Sequence, residues 1–247
     1  MLGMKTTDDA LTTGMKEIAD ALGGGIREGS LVIVEGDAKS GKSVLSQHIA
    51  YGILCSRDCA VAYYTLDYSV EGLIEQMDSM SLLVKKDFVT DRLRIYTMDS
   101  DDVLENVQNS FQPLLSHISE LPERFKLVVV DSLTPFMTRI SPVVKIDFLQ
   151  TCKQQMCDKQ NRSVVLVADT FVFEGKTLYR AHAMSDYYLK LRSKDVMIDT
   201  GQVDTRAIKI LEVTKLGGAD RRGQGDIKFE IKPKVGIQIL PLVKVRV

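Results

Sequence analysis

Residues 36–43, Gly36-Asp37-Ala38-Lys39-Ser40-Gly41-Lys42-Ser43, match the phosphate-loop pattern G-x-x-x-x-G-K-[ST] at every fixed position, and no other stretch limits the fold as strongly. Such a loop works between a buried strand and a helix. Both flanks are present: Leu31-Val32-Ile33-Val34 is apolar and β-branched, as a strand covered on both faces requires, and Val44, Leu45, Ile49 and Ile53 recur at helical spacing. Gly36 and Gly41 let the backbone bend and aim successive N–H groups inward, a nest that joins the helix N-terminus in holding phosphates. Lys42 adds a point charge for β- and γ-phosphates, and the Ser43 hydroxyl a ligand for a Mg2+ bridging the same oxygens. The expected nucleotide-binding residues are Gly36, Asp37, Ala38, Lys39, Ser40, Gly41, Lys42, Ser43 and Val44.

The chain has 247 residues, 45% of them hydrophobic, enough for one α/β domain with a full core and too few for two ordinary ones. A single domain over 1–247 is expected, with 1–13 loosely held. Lys+Arg at 32 against Asp+Glu at 33 leaves no basic excess, which argues against nucleic acid as the partner. No apolar run reaches the ~18 residues of a membrane span, and Met1-Leu2-Gly3-Met4-Lys5 lacks the apolar segment of a signal peptide. The expected location is therefore cytoplasmic, with membrane contact only through partners.

Four cysteines invite a metal reading. Cys152 and Cys157 fall in a predicted helix, where five residues turn the chain by about 500° and point the side chains apart. Cys55 and Cys59 have no matching His cluster, so all four are expected as buried free thiols.

Along the chain, Ile18, Ala21 and Leu22 give a short apolar helix face, and Gly23-Gly24-Gly25 stop that helix before the strand at Leu31. Residues 60–66 read as a second strand ending at Asp67, on the edge where open parallel sheets place ligands; a helix through Leu73, Ile74 and Met77 follows. Residues 92–96 read as a third strand, and 101–119 as mostly helix, kinked or divided by Pro113. Lys126-Leu127-Val128-Val129-Val130-Asp131 has the form of a Walker B strand. Asp131 either holds Mg2+ through water opposite Ser43 or caps the next turn; the phosphate loop upstream favours the metal. A long helix over 144–160 precedes a buried strand over 163–168. Asp169 at its tip is either a γ-phosphate sensor acting through water or a turn-former. Residues 187–192, 206–213 and 226–231 alternate apolar and polar, the pattern of half-exposed antiparallel strands. The loop over 215–225, with Lys215, Arg221 and Arg222, reads by composition as a solvated glycine-rich turn.

The succession of helix, triple glycine, strand, phosphate loop, aspartate-ended strand and C-terminal antiparallel set resembles the RecA-like ATPases of the KaiC type. Thr13-Gly14-Met15, Leu22-Gly23-Gly24-Gly25-Ile26 and Gly29-Ser30 carry the resemblance ahead of the loop. Gly41-Lys42-Ser43-Val44-Leu45-Ser46-Gln47 and residues 229–237, Phe-Glu-Ile-Lys-Pro-Lys-Val-Gly-Ile, resemble the single-domain archaellum branch of that family. The resemblance implies an α/β fold with a RecA-like P-loop NTPase core, a mostly parallel central sheet flanked by helices, and C-terminal antiparallel strands. It also implies ATP and Mg2+ as ligands, and a place at the inner face of the cell membrane beside the motor ATPase FlaI, the membrane platform FlaJ and a scaffold ring protein. A homo-oligomer, hexameric in the family's manner, belongs to the same expectation.

Two departures from the family pattern bear on mechanism. Asp67-Tyr68 stands where the family carries paired glutamates, which leaves Asp67 a weakened candidate for positioning the attacking water. Lys215-Leu216-Gly217 keeps the lysine and loses the arginine of the family's Lys-x-Arg finger, which reaches a neighbouring subunit's nucleotide; Arg221 and Arg222 are the available substitutes. Losing an arginine supplied in trans forfeits about 10³–10⁵ in rate. The expected function is ATP binding that governs assembly, with weak or absent hydrolysis. The alternatives are an active KaiC-like ATPase or autokinase and, disfavoured by the neutral charge, a RadB-like recombinase.

Overall fold

The computed structural model describes residues 10–11, 16–98, 111–199, 203–216 and 226–240. Among them, β3 (Leu31–Gly36), β4 (Ala60–Thr65) and β7 (Ser163–Ala168) are buried at every position, which accounts for their near-continuous apolar sequences. They belong to one sheet with β5 (Leu93–Thr97), β6 (Phe125–Asp131), β8 (Tyr187–Asp199), β9 (Val203–Lys215), β10 (Ile227–Lys232) and β11 (Gly236–Ile239). Its spatial order is β11–β10–β9–β8–β3–β7–β6–β4–β5. From β8 to β5 every neighbouring pair is parallel, and from β8 to β11 every pair is antiparallel. The short strands β1 (Ala10–Leu11) and β2 (Ile26–Arg27) pair with each other outside it, on either side of α1 (Lys16–Ala21).

Because side chains alternate along a strand, β3 feeds two cores. Val32 and Val34 pack with Leu45, Ile49 and Ile53 of α2 (Lys42–Ser56) and Leu73 and Met77 of α3 (Val70–Ser79). Leu31 and Ile33 face the other way. They pack with Leu114 and Ile118 of α5 (Phe111–Glu120), Phe148 and Leu149 of α7 (Pro142–Thr151) and Ala181 of α8 (Gly175–Met184). Two small helices, α4 (Lys85–Val89) and α6 (Thr134–Met137), complete the set among the described residues.

Three local readings change. Pro113 lies inside α5 without dividing its described part, and residues 99–110 lie outside the described residues. The helix over 144–160 is α-helical only to Thr151 and continues as a π-helical stretch, Cys152–Lys159. An i→i+5 ladder brings residues five apart round to one side, so Cys152 and Cys157 do not point apart as α-geometry requires. Both are buried, and burial pushes both thiols up, Cys157 to about 12. Cys55, by contrast, is exposed and Cys59 half-buried. Finally, β8 and β9 are longer than the alternation over 187–192 and 206–213 indicates: they pair with each other from Tyr188↔Lys215 out to Asp199↔Val203.

The last hairpin, β10–β11, closes over α2. The Ile237 N–H donates to His48 Nε2 at 3.1 Å, so that nitrogen is unprotonated, and burial lowers the imidazole to about 4. Gly236 makes this approach possible: it holds φ 78, and a Cβ there would fall 2.7 Å from His48 Cε1 and closer still to Nε2. Gly236→Ala is therefore expected to destabilise the fold by about 2 kcal/mol through strain and overpacking. Urea denaturation measures this, and an unchanged midpoint would mean that the hairpin is not seated on α2.

Candidate nucleotide site

The phosphate loop leaves β3 at the carboxyl edge of the parallel strands, and its first glycine is a packing requirement. A Cβ on Gly36 would lie 2.5 Å from both Leu191 O and Ser40 Oγ. At the other end, a Cβ on Gly41 would lie 3.1 Å from Ile231 Cδ1, so β8 and β10 both press against the loop. Asp37, Ala38 and Lys39 are exposed, Ser40 is buried, and Val44 is half-buried in the first turn of α2.

Lys42, the first residue of α2, turns its side chain back over the loop. Its Nζ donates to Gly36 O and Asp37 O, each at 2.8 Å, and pairs with Asp169 Oδ1 at 2.8 Å. Asp169 follows β7, and the sequence left its role between sensor and turn-former. Its carboxylate engages the loop lysine directly, while its N–H donates to Thr134 Oγ1 at 3.0 Å. The next residue adds a tie, since the Thr170 hydroxyl donates to Asp37 Oδ1 at 2.7 Å.

Asp131, at the end of β6, lies below Ser43. The Ser43 hydroxyl donates to Asp131 Oδ1 at 3.0 Å and the Tyr63 hydroxyl to Oδ2 at 2.7 Å. Ser46 Oγ lies 2.8 Å from both Tyr63 Oη and Ser43 O, closing a small polar network beneath α2. Burial pushes the Asp131 carboxyl up to about 6; the bonds from Tyr63 and Ser43 oppose that rise, and the Asp67 charge adds to it. Asp67 is exposed just past β4, its N–H donating to Thr65 Oγ1 at 3.3 Å. Tyr68 packs half-buried against the α2 side of the core, and burial first, then the Asp131 and Asp67 charges, push its hydroxyl up.

These residues fit a nucleotide with its cation. A hydroxyl and a carboxylate at 3.0 Å are hard oxygen donors of the kind Mg2+ takes. The buried Ser40 Oγ makes no hydrogen bond among the described residues, inside a loop whose chemistry suits phosphate. Gly36, Lys42, Ser43, Asp131, Asp67 and Asp169 are thus gathered at one edge of the sheet. Lys215 is not. It is the register partner of Tyr188, at the level of Ile33, and its Nζ caps α8 by donating to His182 O at 2.6 Å and Ala183 O at 3.0 Å. Arg221 and Arg222 lie outside the described residues.

Sequence reasoning missed Tyr63, Ser46, Thr134, Thr170 and Lys209. Tyr63 sits in a strand apolar enough to hide one hydroxyl, and Lys209 alternates with isoleucines as a solvent-facing lysine would. Only strand register shows that its Nζ reaches Lys39 O, at 2.6 Å.

A parallel sheet with a strand, phosphate loop and helix, and an aspartate-ended strand facing the loop serine, defines a P-loop nucleotide-binding protein with a RecA-like core. The KaiC ATPase family model matches residues 11–244, and the chain belongs to that family. It is similar to the archaeal flagellar ATP-binding protein FlaH of Methanocaldococcus jannaschii, 25% identical over 88% of this chain and 89% of that protein. The FlaH of Sulfolobus acidocaldarius is 24% identical over 94% of this chain and 97% of its own length. The crystal structure of the flagellar accessory protein FlaH from Methanocaldococcus jannaschii shares the fold, with a TM-score of 0.69 at 20% identity over 92% of this chain and 96% of that one. No helix among the described residues is long and apolar enough to cross a membrane.

The Asp131 carboxyl gives a pH test. Its folded value of about 6 lies above the ordinary 3.8, so the fold favours the protonated form. That contribution is present below about pH 4 and lost as pH rises through about 6. With a chelator present, wild type is expected to lose stability relative to Asp131→Asn, on the order of 3 kcal/mol, between about pH 4 and pH 7. Urea denaturation at the two pH values checks it, and a pH-independent difference would contradict the buried carboxylate.

Proposed function

We propose that this chain binds Mg-ATP at the phosphate loop and works in the archaellum as a component whose nucleotide occupancy, more than its turnover, controls assembly. The observation that carries the reading is the constellation of Lys42, Ser43 and Asp131 with Asp67-Tyr68 beside it. The first three residues are those that hold a triphosphate and its cation; the last two are a poor hydrolytic pair. Lys42 supplies the phosphate-facing ammonium, backbone N–H groups of residues 36–43 and the α2 N-terminus supply the anion nest, and Ser43 with Asp131 hold the cation. A cation held by Ser43 and Asp131 would supply countercharge to the triphosphate. Asp67 offers a short, exposed carboxylate to a water, and Tyr68 offers a ring and a hydroxyl held protonated. Neither supplies a well-held base within reach of an attacking water.

The family resemblance of the sequence points to the motor ATPase FlaI, the platform protein FlaJ and a scaffold ring protein as partners, met at the cytoplasmic face of the membrane. ATP with Mg2+ drives the chain from monomer toward a ring, a hexamer in the family's manner, because ligand stabilises whichever assembly binds it more tightly. Calorimetric titration and a turnover assay test the two halves separately. Wild type is expected to bind ATP, Lys42→Ala to lose it while still folded, and turnover to stay well below about 1 per second, the low end of ordinary enzymes. Wild-type affinity in Lys42→Ala would remove the site; steady turnover at or above that rate would return the reading to an active ATPase.

A further inference from the structure

The phosphate loop has a second cation behind it. Lys209 of β9 is only 9% exposed, and its Nζ donates to Lys39 O at 2.6 Å and to Ser193 Oγ at 2.8 Å. Lys39 holds φ 61, the left-handed region that side-chain-bearing residues avoid, in the middle of the loop. Something outside the residue must therefore keep it there. A trans peptide carries its C=O and N–H on opposite sides, so drawing the Lys39 carbonyl toward β9 turns the Ser40 N–H the other way, into the loop. There it meets Asp37 O at 3.1 Å and closes the turn. A bond from an ammonium also polarises the peptide it touches, which makes the Ser40 N–H a stronger donor.

Lys209 stands at a particular place in the sheet. β3 ends where Gly36 pairs with Leu191, and the last β10–β9 pair is Phe229↔Lys209. Past that level, from Lys194↔Ile208 to Asp199↔Val203, β8 and β9 pair only with each other among the described residues, as a two-stranded ribbon. Lys209 and Ser193 are its root. A displacement of the ribbon therefore acts first on the contact to Lys39, and by linkage a change at the loop acts back on the ribbon.

We infer that Lys209 is a positioning residue for the nucleotide phosphates, holding the Lys39–Ser40 peptide in the orientation that closes the Asp37–Ser40 turn of the loop and joining the loop to the β8–β9 ribbon. This rests on the reading of the loop as a Mg-ATP site. The test is calorimetric titration of Mg-ATP into wild type, Lys42→Ala, Lys209→Met, Lys209→Arg and Ser193→Ala, with hydrogen exchange on the nucleotide-free proteins. Lys209→Met is expected to weaken affinity about tenfold, the loss of one charge-assisted bond, and Lys209→Arg to recover most of it. Exchange in Lys209→Met is expected to rise over residues 37–41 and to stay at wild-type rates in β7. Ser193→Ala takes away only the second anchor; it is expected to weaken affinity about threefold and carries the test if Lys209→Met does not fold.

Wild-type affinity in both Lys209→Met and Ser193→Ala, beside a dead Lys42→Ala, would overturn the proposal and leave the site reading intact. Weakened binding with faster exchange through β7 would overturn it as well, because the loss would then be a general loosening. No binding by wild type removes the site reading itself, and the proposal with it.

Discussion

An ammonium buried at the head of a helix needs all three of its protons satisfied, and Lys42 finds its acceptors on three different pieces of chain. Gly36 O closes β3, Asp37 O belongs to the loop, and Asp169 Oδ1 follows β7, each at 2.8 Å. One side chain thereby fixes the start of α2 against two adjacent parallel strands. With α2 set, Ser43 is placed over the end of β6, 3.0 Å from Asp131. The same arrangement determines what a phosphate must do to bind. On the Mg-ATP reading, it would compete with the Asp169 carboxylate for Lys42, and affinity would reflect the difference between two anions at one cation.

The antiparallel strands at the C-terminal end of the sheet do more than widen it. Among their contacts with the loop and its helix are Leu191 O against Gly36, Lys209 on Lys39 O, Ile231 against Gly41, and the Ile237 N–H on His48. The parallel half contributes Lys42, Ser43, Asp131 and Asp169 on one side of the loop, and the antiparallel half packs against the other. Residues 229–237 and the phosphate-loop segment, which both carry the family resemblance, pack against each other.

The phosphate loop, the buried strands and the Asp131 strand end were legible because each is a local pattern, set by sterics or by burial within a few residues. What the sequence left unread is set by register. Tyr63 and Tyr64 are neighbours of one type on one strand, yet Tyr63 bonds Asp131 and Tyr64 lies 2.8 Å from His117 on the opposite face. Lys209 looks solvent-facing until β8 supplies the strand beside it. The cysteine geometry failed for another reason: it assumed 3.6 residues per turn, and the helix changes its hydrogen-bond ladder at Cys152. Asp169 was ambiguous because its partner, Lys42, is remote in sequence and adjacent only once β7 pairs with β3.

Lys215 shows what sheet direction alone imposes on assembly. The phosphate loop leaves the carboxyl end of β3, whereas Lys215 lies level with Ile33 and caps the helix that leads into β8, toward the amino end. Within one chain it therefore lies away from the loop, and its ammonium serves the carbonyls of His182 and Ala183, a favourable place for a cation at a helix C-terminus. In the ring proposed above, a phosphate facing it would belong to a second copy, presented loop-edge to amino-edge. A contact between two different edges is heterologous, so it closes into a ring or runs on as a filament, and does not stop at a two-fold dimer. Among the described residues, α8 holds two of the three donors of Lys215. A single point charge can attract a neighbour's phosphates, but it lacks the planar fork with which arginine grips a transferring group. In the assembly proposed above, the same residue would favour a nucleotide-bridged contact over rapid hydrolysis at the bridge.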